Sequence, residues 1–163
     1  MSQFAVTLSR VLQRLARYSS PLVRLMLAGR AHVVMSKRLI LVTFMGRRSG
    51  RSYTAPVSYV RDGDDLLVPG GGQWWKNLTS GPVSVRLQGS WHSVTPEVIS
   101  EPRELSDVLR RMMAANPALP VFTGIKRGPD GRPSAESLGR ERQRGFVVVR
   151  LHLLDEDTNV RVA

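Results

Sequence analysis

Residues 39–69 read "LILVTFMGRRSGRSYTAPVSYVRDGDDLLVP". The way apolar runs alternate here with glycine-bearing turns decides the fold class. "LILVTFM" has the length and branched-residue content of a buried strand. "GRRSGRS" is a turn. "YTAPVSYV" alternates and is expected as a second strand over 53–60. Arg61-Asp62-Gly63-Asp64 follows, with the Asp-Gly pair that marks a hairpin, and "DLLVP" is a third strand.

The same pattern continues downstream. Gly70-Gly71-Gly72 opens a loop, and "QWWKNL" fits one or two helical turns. "VSVRLQG" and "SWHSVTPEVIS" form a second hairpin turning at Gly89-Ser90, and "FVVVRLHLL" is the last strand. Short antiparallel strands with tight turns predict a small barrel or sandwich. The fold class is mainly β with helices (α+β).

Helical periodicity appears on both sides of this block. In residues 3–17, Phe4, Leu8, Val11, Leu12 and Leu15 recur at helical spacing, opposite Arg10, Arg14 and Arg17. This is either a helix packed on the domain or an amphipathic helix lying on anionic membrane. A short second helix is expected from Leu22 to Ala28. The clearest helix is 101–116, with Pro102 in its first turn and Leu105, Val108, Leu109, Met112 and Met113 as the apolar stripe. Residues 126–144, "KRGPDGRPSAESLGRERQR", are expected as a mobile loop or partly helical insertion.

Composition narrows the function. A chain of 163 residues suits one domain. Its net charge of +11 favours phosphate-rich ligands, nucleic acid or anionic lipid. It has no cysteine, which removes disulfides and thiolate chemistry. His32, His92 and His152 lack metal-ligand spacing, so no metal is expected. "LVRLMLAG" is too short for a bilayer span and contains Arg24. With no secretory pattern visible, the expected location is cytoplasmic, peripheral to the inner face of the membrane if the first helix binds lipid.

Two loops carry more than a turn requires. Arg47, Arg48 and Ser49 add fixed charge and a hydroxyl to a glycine-flanked turn, which fits a phosphate or carboxylate nest. Gly70, Gly71 and Gly72 let a flat ring approach the backbone. Trp74 and Trp75 follow, one expected in the core and the other on a pocket wall.

"GRRSG", "TAPVSYV", "RDGDDLLV", the glycine loop and "WWKNL…VSVRLQG", in that order, resemble the deazaflavin (F420)-dependent nitroreductase family, also called nitroreductase/quinone reductase proteins. The resemblance spans 39–100, with looser support from 101–125 and the last strand. It implies a split β-barrel like that of flavin-binding oxidoreductases, with residues 1–35 as an N-terminal segment and 36–163 as the cofactor-binding domain. It implies coenzyme F420, whose phosphodiester and polyglutamate tail agree with the basic charge.

Carried over by position, Arg47, Arg48, Ser49 and Gly50 match residues near the phosphate and tail. Thr54, Ala55, Pro56 and Val57 match the strand flanking the ring. Val68, Pro69, Gly70 and Gly71 match the loop reading its polar edge, and Trp74, Trp75 and Asn77 match the pocket wall. Two positions depart from the family pattern: Tyr53 stands where a basic residue is common, and Pro69-Gly70-Gly71-Gly72 replaces a Ser-Lys-Gly-Gly loop. FMN is therefore the alternative cofactor.

The leading reading is a reductase passing a hydride to a quinone, a nitroaromatic or a similar electron-poor acceptor. Tyr53 and Tyr59 are the candidate proton donors, and the chain is expected as a monomer or homodimer. The alternative is a non-catalytic split-barrel binder of a lipid or other hydrophobic ligand at a membrane. No motif supports specific nucleic-acid binding.

Overall fold

The computed structural model describes residues 38–154. The segments expected at 3–17 and 22–28, and His32, lie outside them. Seven strands form one sheet: β1 (Leu39–Met45), β2 (Ser52–Ser58), β3 (Val60–Asp62), β4 (Asp65–Gly70), β5 (Val83–Leu87), β6 (Ser90–Ile99) and β7 (Val147–Leu153). Their order is β2-β1-β5-β6-β7-β4-β3. Every neighbouring pair is antiparallel.

That order closes the sheet. β2 and β3 are the two edges, yet only Tyr59 separates them in the chain. The sheet must curl until its edges meet, which is the split β-barrel. It also corrects the expected strand over 53–60. One straight strand cannot pair with β1 at one edge and with β4 at the other. The Gly63-Asp64 turn places Val60–Asp62 on β4, and the chain changes partner after Tyr59, whose N–H still donates to Arg38 O at 3.0 Å.

Alternation assigns the two faces. Ile40, Val42 and Phe44 on β1 point inward with Leu66 and Val68 on β4 and Val85 on β5, filling the barrel. The opposite face of the β3–β4–β7–β6 half carries Val60, Leu67, Val148 and Ile99. Three helices cover it: α1 (Pro102–Ala115), α2 (Leu119–Thr123) and α3 (Ala135–Gln143). Val147, Val148 and Val149 are all buried because β7 has packing on both faces.

On α1, Leu105, Val108, Leu109, Met112 and Met113 are all buried in that second layer, as the stripe predicts. Each buried side chain of this kind contributes about 1.5–3 kcal/mol. Glu101 caps the helix by accepting from Glu104 N at 2.8 Å. The backbone N–H of Glu104, then that of Arg103, holds the Glu101 carboxyl below the usual carboxylate range.

Of the two expectations for residues 126–144, the partly helical insertion is the one observed, with α3 over Ala135–Gln143. Gly128 N donates to Arg132 O at 2.7 Å, and Arg127 bridges Pro133. Leu138 and Ser137 of α3 are buried. The Ser137 hydroxyl accepts from Lys126 N at 2.9 Å and donates to Ser134 O at 3.1 Å. Leu138 is the one large apolar anchor of this helix. An arginine-rich stretch with a single anchor has no readable period.

Arg150 holds the outer surface of β6 and β7. It lies 2.8 Å from Glu97 and 3.7 Å from Glu104. His152 sits between Asp65 at 2.8 Å and Glu97 at 3.0 Å. The Arg150 hydrogen bond, then that of His152, lowers the Glu97 carboxyl below its ordinary value. A depressed carboxylate contributes stability above its unfolded pKa, about 4.3, and loses it as pH falls below that value through the lowered folded pKa. Urea midpoints should therefore drop between neutral pH and about pH 3.5, and Glu97→Gln should flatten that drop by about 0.2–1 kcal/mol, the range for an exposed pair. Identical pH profiles for the two proteins would refute the assignment.

Candidate functional site

The β1–β2 turn is closed from within. Gly46 N donates to Arg51 O at 2.8 Å, and Gly50 N to Gly46 O at 2.7 Å. Arg51 N donates to Ser49 Oγ at 3.4 Å, and Ser49 Oγ lies 2.9 Å from Tyr53 Oη. A methyl group on Gly46 would fall 2.5 Å from Tyr53 Cε2, so glycine is needed where the Tyr53 ring crosses the chain. The expected backbone nest is thus narrowed, because Gly46, Arg47, Gly50 and Arg51 already spend their N–H groups. The guanidinium groups of Arg47, Arg48 and Arg51 remain exposed. Among the described residues, every ion pair lies elsewhere.

The second loop is fastened to the first. Residues Trp74–Asn77 form a 3-10 turn. Asn77 Oδ1 accepts from Arg47 N at 3.1 Å, and its Nδ2 donates to Trp74 O at 2.9 Å. Asn77 is therefore the tie between the two loops. Leu78 follows directly and is wholly buried in the barrel.

Trp74 and Trp75 do not divide as expected into core and pocket. Both are half-buried against the barrel core. Trp74 meets Phe44 with ring centroids 6.2 Å apart, and Phe44 stacks on Tyr53 at 6.0 Å. Trp75 Nε1 donates to Gly145 O at 3.0 Å, and Lys76 Nζ stands 5.7 Å from the Trp75 ring centroid. An aromatic row thus closes this end of the barrel, with basic groups around its rim.

The three glycines separate by role. An added Cβ at Gly70 would meet Val147 Cγ2 at 3.1 Å and Trp75 Cβ at 3.2 Å, so packing demands glycine. Gly72 has φ +67°, a left-handed position. At Gly71 an added Cβ would meet nothing within 4 Å. Neither packing nor strain accounts for Gly71, and the space beside it is open.

β2 splits its expected contacts. Ala55 is buried and Val57 half-buried toward the barrel, while Thr54 and Pro56 face outward. Val68 is wholly buried, so it supports the loop from behind, and Pro69 is half-buried. Thr54 Oγ1 lies 2.7 Å from Thr43 Oγ1. The register extends this row to Ser84 and Ser93, a line of hydroxyls on the outer face of β2, β1, β5 and β6. Thr43, Ser84 and Arg51 were missed by sequence reasoning. The parity of β1 against β2 was the available signal, and it needed the strand register. Tyr53 stands at the two-loop end of β2, whereas Tyr59 lies beyond the other end, about 20 Å along the strand. The two tyrosines cannot serve one reacting atom.

The site therefore offers free cations on a turn, an aromatic-backed rim, open space at Gly71 and outward hydroxyls. The sequence model of the F420H(2)-dependent quinone reductase family matches residues 16–124. The chain belongs to that family. It is an oxidoreductase, and F420 is its cofactor.

The residues fit that cofactor. A polyanionic tail needs unpaired cations, which Arg47, Arg48 and Arg51 supply, and a flat ring needs the relief left at Gly71. No curated protein matches the sequence. Among solved structures, the Agrobacterium tumefaciens protein Atu2129 is 17% identical, covers 72% of this chain and has a TM-score of 0.51. This chain spans 48% of that protein's length. HutZ, the heme storage protein of Vibrio cholerae, is 12% identical over 77% of this chain and 90% of its own, with a TM-score of 0.50. An F420-H2 dependent reductase (FDR-A) is 18% identical over 71% of this chain and 95% of its own, with a TM-score of 0.49. At such identities Atu2129 and HutZ bear on the fold alone.

Proposed function

We propose that this chain reduces quinones, and by the same chemistry nitroaromatic rings, at the end of the barrel where the two loops meet. When bound, reduced F420 supplies the hydride. Arg47, Arg48 and Arg51 hold its anionic portion, and Asn77 keeps their turn in fixed relation to the tryptophan loop. Thr54 and Thr43 would offer the cofactor hydroxyls from the outer face of β2 and β1, and the open space at Gly71 would leave room for a flat ring. Trp74, Phe44 and Tyr53 close the barrel behind it and keep water out of the core. A quinone taking up a hydride also needs a proton. Tyr53 is the tyrosine at this site, and with Ser49 it forms the hydroxyl pair through which that proton is delivered.

The observation that carries this reading is the Asn77 tie. It joins the cationic turn to the aromatic loop, so that anion binding and ring binding become one site.

The test is turnover. Purified protein with reduced F420 should oxidise it when a short-chain naphthoquinone is added, and Tyr53→Phe should slow kcat more than it raises KM. The same protein should bind F420 in preference to FMN. Tight F420 binding with no turnover across quinones and nitroaromatics would sink the assignment of these acceptors.

A further inference from the structure

We infer that Gly145, at the junction of α3 and β7, is a positioning residue for the glycine loop, and that it keeps the backbone at Gly71 open to a flat ring. The inference rests on the reading of Gly71 as the ring side of the site. Gly70 pairs with Val147 in the β4–β7 ladder, and an added Cβ there would lie 3.1 Å from Val147 Cγ2 and 3.3 Å from Val147 O. An added Cβ at Gly145 would lie 3.1 Å from Gly72 O. The indole Nε1 of Trp75 donates to Gly145 O at 3.0 Å. Residues 70–75 therefore span the start of β7 and touch it at Gly70, Gly72 and Trp75. Gly71 lies between these supports, where an added Cβ would meet nothing within 4 Å.

The end of α3 fixes Gly145 from the other side. Its N–H donates to Arg142 O at 2.9 Å, and Phe146 N donates to Glu141 O at 3.0 Å. These are the paired bonds that close a helix on a left-handed residue, and Gly145 has φ +92°. Phe146 is buried, which anchors the junction in the second layer of the core. A helix end thus sets the place of Gly145, and Gly145 sets how far Gly72 and Trp75 stand from β7. Asn77 ties the far end of the same loop to the cationic turn. The 126–144 insertion therefore governs the ring position through its last turn.

Ending a helix would by itself ask for glycine here, and asparagine separates the two roles. Asparagine tolerates a left-handed φ, so Gly145→Asn keeps the end of α3. Its Cβ still arrives 3.1 Å from Gly72 O, tighter than ordinary contact, so the loop must give. Trp75→Phe is the second variant. It keeps an aromatic ring against the core and removes the N–H that reaches Gly145.

The test reads amide hydrogen exchange in the full chain without cofactor, and then F420 binding. Lys76 N–H and Leu78 N–H close the 3-10 turn on Gln73 O and Trp75 O, so they report on the loop. Both variants should exchange there roughly tenfold faster than the parent, the scale of one lost hydrogen bond. Leu138 N–H, bonded to Ser134 O in α3, should keep its parental rate. Both variants should bind F420 roughly tenfold more weakly, with the parental salt dependence, since Arg47 and Arg48 are untouched. The double variant should lose little more than either alone, because both changes release one clamp. Parental exchange at Lys76 and Leu78 in both variants overturns the inference. So does faster exchange with parental F420 affinity, since the loop would then move without moving the ring. A parent that binds no F420 fails the functional reading instead, and the exchange rates still decide whether Gly145 holds the loop.

Discussion

Replacing Arg47 and Arg48 together by alanine is expected to weaken F420 binding by roughly 10-fold to 150-fold for each charge-assisted hydrogen bond removed. Such a bond contributes about 1.5–3 kcal/mol, and about 1.4 kcal/mol is tenfold. Both side chains are exposed, so solvent and salt screen them, and the loss should shrink as ionic strength rises. It should be larger for a cofactor carrying a longer polyglutamate tail. The substitution is clean for a structural reason. Arg47 meets Asn77 through its backbone N–H, which alanine keeps, so the tie between the loops survives. Isothermal titration at low and high salt reads the result. Parent-like affinity at low salt from a folded double variant would return these arginines to the solvated surface.

Leu78→Ala should cost about 2–5 kcal/mol of stability, a large share of the 5–15 kcal/mol typical of a domain. Leu78 is wholly buried in the barrel and follows the 3-10 turn immediately. Its removal leaves a cavity in the cluster against which Trp74 and Trp75 pack, so the loop should lose part of its seat as well. Two readouts follow: a lower urea midpoint, and weaker F420 binding under conditions where the variant is still folded. A loss below about 1 kcal/mol would show that the loop is held by Asn77 and the Trp75–Gly145 bond without help from the core.

Both predictions concern loops that the chain order keeps apart. Arg47 and Asn77 are distant in sequence, and each looks like an ordinary turn residue. A side-chain amide that bonds two backbones leaves no periodic mark, so the tie was not legible before the fold. The same holds for the hydroxyl row. Thr43 and Ser84 were ordinary strand positions until the pairing of Thr43 with Thr54 and Ser84 placed them on one line.

Local chemistry was enough for the elements themselves. A continuous apolar run marked β1, alternation marked β2, Asp62-Gly63 marked the β3–β4 turn, and the Leu105-to-Met113 stripe with Pro102 marked α1. These features depend on neighbours within a few residues, and that is the range over which backbone geometry and side-chain period act. Membership in a family of split barrels was also readable from ordered motifs. The tertiary structure alone decided the break at Tyr59, since only barrel closure requires the two edges to be consecutive in the chain. It decided that Ala55 and Val68 face the core while Thr54 and Gly71 face open space. It decided that Tyr53, and not Tyr59, stands with the arginines. Each is a question of which side of a curled sheet a residue occupies, and that is set by long-range pairing rather than by the residue's own neighbours.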